Sequence, residues 1–538
     1  MLTRFLLASL ATSCVFGADF VGNTACSACH AAIVRAYSRT PMAQSSGKVG
    51  AQDGTVTFGN AAFRDARGAF AYTVRTDYRF EFAQLNRQPD AQPPIGGIRD
   101  LAYFIGSGTA ARTFLMNSGG FLFESPVTYY RNSAAWKASP GFADFDYPFL
   151  TRPIAPGCLQ CHSSGVQPAA GTLNAYQTPP FLENGVACER CHGAGSDHIG
   201  KGAKMVNPAK LAPAARDSIC AQCHLSGEIR VQKTGVPESQ ALSPGALLDD
   251  VLTVFVRRGL PSELRVTSHV ENLEQSACKR SSGDKLWCAT CHDPHTTPEP
   301  VAKAAYFRGK CLTCHQTQSC TAPPATRRAN GDDCTACHMP RRPASDIEHV
   351  VFTDHSIRRK PAGAVAAPAA VSQLLPYPGY TASTRDLALA YAMVALRDRN
   401  PADRDRAIPL LQQAMEQGTA DAPALVYLAE FYRDAQDDAR ALPIYQRAWQ
   451  MDKTQYAAAA ALGAYQMQRG NLTEAIALWR EALAVNPAMT LVRVNLATAL
   501  LRTGRPDEAK AMLEKALEFN PASREARELL GQISGALK

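Results

Sequence analysis

The chain has 538 residues, which is too long for a single hydrophobic core and predicts two to four domains. Hydrophobic residues make up 46% and charged residues 19%, an ordinary composition for a globular protein and not that of a disordered chain. The formal net charge of +8 could suit a nucleic-acid partner, but the acidic cofactors inferred below offset it, so we exclude nucleic acid.

Residues 1–18 have the pattern of a secretory signal peptide. A short basic segment precedes an apolar run over residues 5–16, and small residues near Ala18 fit cleavage. This run is too short to cross a bilayer, and no other segment is long and apolar enough. Cys14 could carry a lipid, but residues 11–13 match poorly to the sequence that precedes a lipidated cysteine. We expect a periplasmic or otherwise extracytoplasmic protein without a membrane span, and a lipid anchor at Cys14 is the less favoured alternative.

Seven copies of Cys-x-x-Cys-His lie between residues 26 and 338 and are numbered here in chain order. In this motif two thiols bond the vinyl groups of haem c, and the adjacent imidazole binds one face of the iron. Zinc and iron–sulfur sites do not require the histidine that follows the second cysteine in every copy. The sequence therefore predicts seven covalently attached haem c groups. Their thiols belong to Cys26, Cys29, Cys158, Cys161, Cys188, Cys191, Cys220, Cys223, Cys288, Cys291, Cys311, Cys314, Cys334 and Cys337, and their proximal ligands are His30, His162, His192, His224, His292, His315 and His338.

Residues 19–50 form the first haem segment, and residues 51–150 are predicted to form a β-rich insertion. The first segment contains a predicted short helix over residues 31–39, which Thr40 and Pro41 end. The insertion lacks Cys and His, and its apolar residues alternate as in β-hairpins. Glycine-containing turns are expected at 106–108 and 118–120. The alternating residues are Val56 and Phe58, Tyr72 and Val74, and Tyr78, Phe80 and Phe82.

Residues 151–360 contain the other six motifs in short, weakly periodic stretches. We expect little regular structure there, because porphyrins supply apolar surface that a peptide core would otherwise provide. The predicted fold of the cytochrome part is therefore an α-rich multihaem cytochrome with little regular structure and a small β insertion. Scattered Lys and Arg side chains would neutralise haem propionates.

Residues 361–380 are rich in Ala and Pro and predict a semi-rigid linker, and residues 381–538 repeat with a period of 34. Small residues at fixed offsets allow paired helices to pack closely, which is typical of tetratricopeptide repeats. An unrelated helical bundle is the alternative. The sequence favours an all-α tetratricopeptide solenoid with a capping helix over residues 524–537. The repeating positions are Leu428, Leu462 and Leu496; Ala441, Ala475 and Ala509; and Ala448, Ala482 and Ala516, with Ala407 and Ala414 in a degenerate earlier unit.

The sixth coordination site of each iron also needs a ligand. Twelve histidines minus seven proximal ones leave five, all inside the haem region, and we predict these as distal ligands. His198 and His295 follow their own proximal histidines too closely to reach the same iron, so neighbouring haems are their predicted targets. Two irons remain, for which Met42 is the main candidate and Met339 a weaker one, unless an iron is open. The five histidines are His198, His269, His295, His349 and His355.

Two further cysteines, Cys278 and Cys320, lie outside the motifs of the mature chain. An even number of thiols in an oxidising compartment is compatible with one structural disulfide. Two free thiols are the alternative.

Segments around the motifs resemble the superfamily of tetrahaem cytochromes and hydroxylamine oxidoreductase over roughly residues 20–360. The segments that carry the resemblance are 185–198, 268–278 and 288–295. The resemblance implies that His198 and His295 are distal ligands. Where the family often has Ser-x-His, this chain has Ser38-Arg-Thr-Pro-Met42 instead, and it has no Cys-x-x-Cys-Lys motif and no residue that we could match to the tyrosine cross-link of hydroxylamine oxidoreductase.

These features together predict an exported heptahaem c-type cytochrome that transfers electrons along a chain of haems. The repeats would dock a redox partner protein. The alternative is a multihaem oxidoreductase that acts on a small nitrogen or sulfur species at a haem with an open axial site. In a third hypothesis the repeats form a scaffold that carries redox cofactors.

Overall fold

The structure is a computed structural model that describes residues 19–50, 56, 58–59, 61–65, 67–85, 95–142, 150–258, 264–316, 320–359 and 373–536. The predicted signal peptide and residues 361–372 of the predicted linker lie outside this set. Within these ranges, no helix combines the length and the hydrophobicity that a membrane crossing requires.

Helix α1 spans Gly22–Tyr37 and contains the first motif. The predicted helix over residues 31–39 is its second half, which ends shortly before Thr40 and Pro41. The backbone departs from helical angles at His30 (φ −111°, ψ 33°), so the helix bends where the proximal histidine follows its two cysteines.

The insertion forms two antiparallel sheets, with strand orders β1-β6-β7-β8-β9 and β2-β3-β4-β5. Tyr72 and Phe80 alternate into a shared core, as their spacing predicts. Gly119 and Gly120 (φ 62° and 90°) join β7 to β8 in a two-residue turn that requires positive φ at both positions. The strands are β1 Ser46–Lys48, β2 Ala61–Arg64, β3 Phe70–Val74, β4 Arg79–Gln84, β5 Gly96–Asp100, β6 Tyr103–Ile105, β7 Ala111–Ser118, β8 Phe121–Tyr130 and β9 Ala135–Ala138.

Val56 and Phe58 do not lie in a strand, although their alternation predicts one. Phe58 instead packs edge-on against Phe114 and tilted against Trp136, with ring centres 5.4 Å and 5.2 Å apart. Both side chains pack into the core of the insertion without belonging to a strand.

The segment with the remaining six motifs consists of short helices and small antiparallel sheets. Five of these motifs lie on or begin a helix, the sixth motif starts at the end of the helix Lys303–Leu312, and long connections join them. The helices are α2 Pro156–His162, α3 Glu189–His192, α4 Ser196–Lys201, α5 Pro213–His224, α6 His269–Glu274, α7 Ala277–Ser282, α8 Cys288–Cys291, α9 Lys303–Leu312, α10 Pro324–Ala329 and α11 Cys334–His338. The strands are β10 Ser164–Pro168, β11 Tyr176–Glu183, β12 Ile229–Gln232, β13 Leu252–Arg257, β14 Arg341–Pro343 and β15 Val351–Thr353.

Nine consecutive helices form the tetratricopeptide region. The alanines that repeat every 34 residues are almost fully buried where paired helices meet, because a larger side chain would hold the helices apart. The helices are α12 Thr384–Asp398, α13 Pro401–Glu416, α14 Ala422–Asp434, α15 Asp438–Met451, α16 Tyr456–Gln468, α17 Leu472–Val485, α18 Thr490–Arg502, α19 Pro506–Phe519 and α20 Arg524–Ala536.

The repeats are attached to the rest of the chain at both ends. Strand β16, Leu374–Pro376, lies inside the predicted linker and pairs with β13, and the Arg257 guanidinium is 2.8 Å from the fully buried Asp403 carboxylate. At the other end, Phe519 packs edge-on against Phe123 of β8, with ring centres 6.0 Å apart. These contacts hold the repeats against the haem-motif region and the insertion.

Candidate functional site

The imidazoles of several motifs are oriented by backbone carbonyls. Nδ1 of His192 donates to the Val206 carbonyl at 2.8 Å, and Nδ1 of His338 donates to the Arg358 carbonyl at 2.8 Å. A carbonyl only accepts, so the Nδ1 proton is fixed and the Nε2 lone pair is left for a metal. Two histidines outside the motifs share this arrangement, namely His198 to Ala203 (2.7 Å) and His355 to Thr353 (3.0 Å).

Three proximal histidines face a histidine from elsewhere in the chain. The ring centres are 6.5 Å apart for His30 and His198, 5.9 Å for His192 and His295, and 6.2 Å for His292 and His355. The rings of each pair are within 29° of parallel. Two metal–imidazole bonds of about 2.0 Å, with about 1.1 Å from nitrogen to ring centre, require roughly 6.2 Å. The distance between ring centres in each pair would therefore allow the two imidazoles to hold one iron between them.

His269 occupies a crowded cluster instead of a matched pair. Its ring is perpendicular to that of His224, with centres 4.8 Å apart and Nδ1 atoms 3.3 Å apart, and it also lies 4.7 Å from the His355 ring. A metal ion bound by both Nδ1 atoms on opposite sides would hold them roughly 4 Å apart, so the two Nδ1 atoms do not share one metal ion in this way. Burial and neighbouring imidazoles lower the pKa of His224 to about 4 and that of His269 to about 2. Both rings are thus neutral, which is the form that binds a metal.

The other predicted ligands lie apart from such pairs. Among the described residues, which include all twelve histidines, no imidazole is in ring contact with His162, His315 or His338. His349 is 42% exposed at its side chain and lies edge-on to Tyr130, with ring centres 5.2 Å apart.

Met42 lies close to the second motif along the backbone. The Ser45 hydroxyl is 2.8 Å from the Met42 carbonyl and 2.8 Å from the His162 carbonyl. The Met42 carbonyl also accepts from the Val186 amide at 2.9 Å. This loop is thereby fixed between the second and third motifs.

Thiols of different motifs lie near each other in pairs. Four pairs are close enough for one thiol to shift the pKa of the other: Cys26 with Cys188, Cys161 with Cys223, Cys220 with Cys288, and Cys311 with Cys334. The first motif thus meets the third, the second meets the fourth, the fourth meets the fifth, and the sixth meets the seventh.

Weaker electrostatic contacts close the gaps between these pairs. Cys191 of the third motif lies near Cys220 of the fourth, and Cys291 of the fifth lies near Cys311 and Cys314 of the sixth. All seven motifs therefore form one connected series, in the order one, three, four, five, six, seven, with the second motif branching from the fourth.

Cys278 and Cys320 are both free thiols, so the disulfide that the sequence allowed is not formed. Cys278 lies near Cys291 and Cys311 of the fifth and sixth motifs. Cys320 lies near Arg327, which is itself close to Cys334 of the seventh motif.

One charged side chain at this site is not indicated by the motif pattern. Arg190, between the two cysteines of the third motif, is 7% exposed and hydrogen-bonds to both the second and the fourth motifs. A charged residue inside an attachment motif was the available signal, but its partners depend on the fold.

Comparisons with known proteins match the haem-motif region and the repeat region separately. Residues 148–193, which include the second and third motifs, match the family model of cytochrome c554 and c-prime. Residues 466–533 match a tetratricopeptide repeat model. The C-type polyheme cytochrome OmcC of Geobacter sulfurreducens is 38% identical over 69 residues, which are 12% of this chain and 9% of that protein.

Several solved structures also align with part of the chain. MamA is 20% identical over 26% of this chain and 82% of its own, with a TM-score of 0.24. YrrB, described as a TPR protein with an unusual peptide-binding site, is 18% identical over 27% of this chain and 73% of its own, with a TM-score of 0.23. From the two family matches, the chain joins a cytochrome segment similar to cytochrome c554 and c-prime to tetratricopeptide repeats.

Proposed function

We propose that this protein is an exported electron-transfer protein with seven covalently attached haem c groups. The observation that carries the proposal is the continuous series of contacting motifs, in which every motif has a neighbour. When bound, each haem supplies one iron that takes up and releases a single electron. Contact between attachment sites suits electron transfer, because it brings neighbouring macrocycles close together.

The residues present fit the cofactor in chemistry. Each motif would supply two thiols and a proximal imidazole, and His198, His295 and His355 would supply a second imidazole to the first, third and fifth haems. We keep His269, which lies in the buried cluster with His224, as a proposed distal ligand, and we keep His349 and Met42 as proposed ligands for the remaining irons. Met42 is best placed for the second motif, because Ser45 connects their backbones.

Export also belongs to this proposal. The apolar segment at the start of the chain and the fourteen motif cysteines suit a compartment outside the cytoplasm, where haem c is attached to thiols. The relative in Geobacter sulfurreducens, a C-type polyheme cytochrome, supports the same placement.

The haem content of the purified holoprotein tests the proposal. We expect seven haems per chain from the pyridine haemochrome spectrum and from the intact mass, all of them reducible by dithionite. A matched variant with Cys26→Ala and Cys29→Ala should retain six. Fewer than seven in the natural protein, or haem that acid acetone extracts, would contradict the proposal.

The repeats are proposed to dock a redox partner protein. A cavity of about 590 Å³ lies between α14, α15 and α16, with a floor of small alanine side chains. Arg433, Tyr445 and Tyr465 line it, and the buried Tyr445 hydroxyl has no hydrogen-bond partner. A cationic group, an unsatisfied hydroxyl and an aromatic ring suit a polypeptide segment with an acidic or carbonyl group.

Charge reversal at the cavity tests this docking. Arg433→Glu is expected to slow reduction of the holoprotein by a reduced periplasmic or membrane fraction of the source cell roughly tenfold. Reduction by dithionite should not change, because it needs no docking surface. Lys510→Glu, on α19 outside the cavity, makes the same change in net charge and serves as the control. Equal rates for the natural protein and Arg433→Glu would argue against docking at this cavity.

A further inference from the structure

One guanidinium connects three of the attachment motifs. Nη2 of Arg190, in the third motif, donates to the Gln160 carbonyl of the second motif at 3.0 Å and to Oε1 of Gln222 in the fourth at 2.6 Å. Gln160 and Gln222 each lie between the two cysteines of their own motif. Arg190 therefore lies at the branch point where the second, third and fourth motifs meet.

A second arginine reaches the same point from strand β12. Nη2 of Arg230 donates to the Gln222 carbonyl at 2.7 Å, and the Arg230 side chain also contacts the Cys161 thiol of the second motif. The Cys161 thiol is itself 3.9 Å from the Gln222 carbonyl. Both guanidinium groups thus lie beside the contact between the second and fourth motifs.

These two charges lack carboxylate partners among the residues that the structure describes. Nη1 of Arg190 and Nε of Arg230 are buried without a hydrogen-bond partner. The neighbouring Glu189 carboxylate is turned away and accepts the Val21, Gly22 and Gly195 amides.

Two carboxylates act electrostatically on Cys158 of the second motif. Glu238 and Glu124 face Cys158, and Glu124 is paired with Arg152 at 2.7 Å. The side of the second motif that faces the fourth is therefore positively charged.

We infer that Arg190 and Arg230 raise the redox potentials of the haems on the second and fourth motifs. The inference rests on the proposed function, because it requires haem at these motifs. A guanidinium is always protonated, and a fixed positive charge in a buried environment disfavours the additional positive charge of ferric iron. Electrons in the series would then collect at the branch.

The expected size follows from Coulomb's law. A unit charge that acts across roughly 12 Å, at an effective dielectric constant of about 20, changes an equilibrium constant about tenfold. For a one-electron couple this is about 59 mV. Removing one guanidinium should shift the affected haems by this amount toward lower potential.

Optical redox titration of the holoprotein tests the inference with charge-removing and charge-retaining variants. Arg190→Gln and, separately, Arg230→Gln should each shift the highest-potential part of the titration curve toward lower potential. The equilibrium constant for reduction of the affected haems should fall about tenfold. Arg190→Lys keeps the charge and should stay close to the natural curve. Arg493→Gln is the control, because Arg493 is equally buried but lies in the repeats on α18.

Two results would overturn the inference. One is an unchanged curve in both Arg190→Gln and Arg230→Gln. The other is a shift in Arg190→Lys as large as that in Arg190→Gln, because hydrogen-bond geometry and not charge would then set the potential. The haem content of each variant is measured in parallel, so failure of haem attachment, which would contradict the proposed function, is distinguished from an absent shift.

Discussion

Replacing His198 with alanine is expected to convert one low-spin haem into a high-spin haem. The His198 ring is stacked against that of His30 at 6.5 Å and 19°, and its Nδ1 proton is held by the Ala203 carbonyl. This arrangement leaves Nε2 available to a metal. In the proposed assignment His30 and His198 hold the same iron, so alanine would leave that iron with His30 alone. Because the spin state of one iron changes completely, the effect is large and can be quantified as equivalents of high-spin haem per chain.

Electron paramagnetic resonance of the oxidised protein measures this change. We expect one equivalent of high-spin ferric signal in His198→Ala, and a second, independent equivalent in His295→Ala. Asp197→Asn is the matched control, because it changes the neighbouring side chain of α4 and its ion pair with Lys201 but keeps His198. A His198→Ala protein without new high-spin signal would disprove the assignment of His198 as a ligand.

The natural protein serves as the baseline for these spectra. A high-spin signal already present there would identify an open iron, and His162, His315 and His338 are the proximal histidines without another imidazole in ring contact among the described residues. Binding of nitrite, hydroxylamine or cyanide at that iron would favour the oxidoreductase hypothesis over electron transfer alone.

Local patterns in the sequence were sufficient to predict the repeats and the β-rich character of the insertion. The 34-residue period places Ala441, Ala475 and Ala509 at equivalent buried positions, because each repeat packs against the next in the same way. Alternation in Tyr72 and Phe80 identified strands whose inner face is buried. In Phe58 the same pattern was misleading, since a loop can also place an aromatic ring in the core.

The pairing of histidines could not be derived from residue spacing alone. His30 and His198 come from opposite sides of the insertion, and His292 and His355 are separated by three further helices. Spacing showed only that His198 and His295 are too close to their own proximal histidines to share an iron. Which iron each one faces depends on tertiary structure.

The spatial order of the motifs also differs from their order in the chain. The first motif meets the third through Cys26 and Cys188, because α1 lies against the segment that precedes the third motif: Tyr37 donates to the Val186 carbonyl at 2.6 Å. The second motif meets the fourth through Cys161 and Cys223. The branch at Arg190 exists only because of this interleaving, which residue order alone does not reveal.

Removing the haem of the fifth motif is expected to break the series into two parts. Cys288 lies near Cys220 of the fourth motif, and Cys291 lies near Cys311 of the sixth, so within the described residues these thiol contacts connect the first four motifs to the last two through the fifth. Cys288→Ala with Cys291→Ala leaves the first four motifs on one side and the last two on the other. Electron exchange between these groups should slow by several orders of magnitude, because electron transfer falls steeply with distance.

Removing the haem of the first motif provides the matched comparison. Cys26→Ala with Cys29→Ala also removes one haem, but from an end of the series, so the remaining six stay connected. Both variants lose one haem and two thiols. A difference between them therefore reports connectivity and not haem number.

Stopped-flow reduction with less than one electron per haem tests the continuous series most directly. We expect a single rapid redistribution of electrons among all haems in the natural protein and in the variant without the first haem. The variant without the fifth haem should show a slow second phase, or two populations that do not equilibrate within the experiment. Equally fast, single-phase redistribution in that variant would contradict the continuous series of haems.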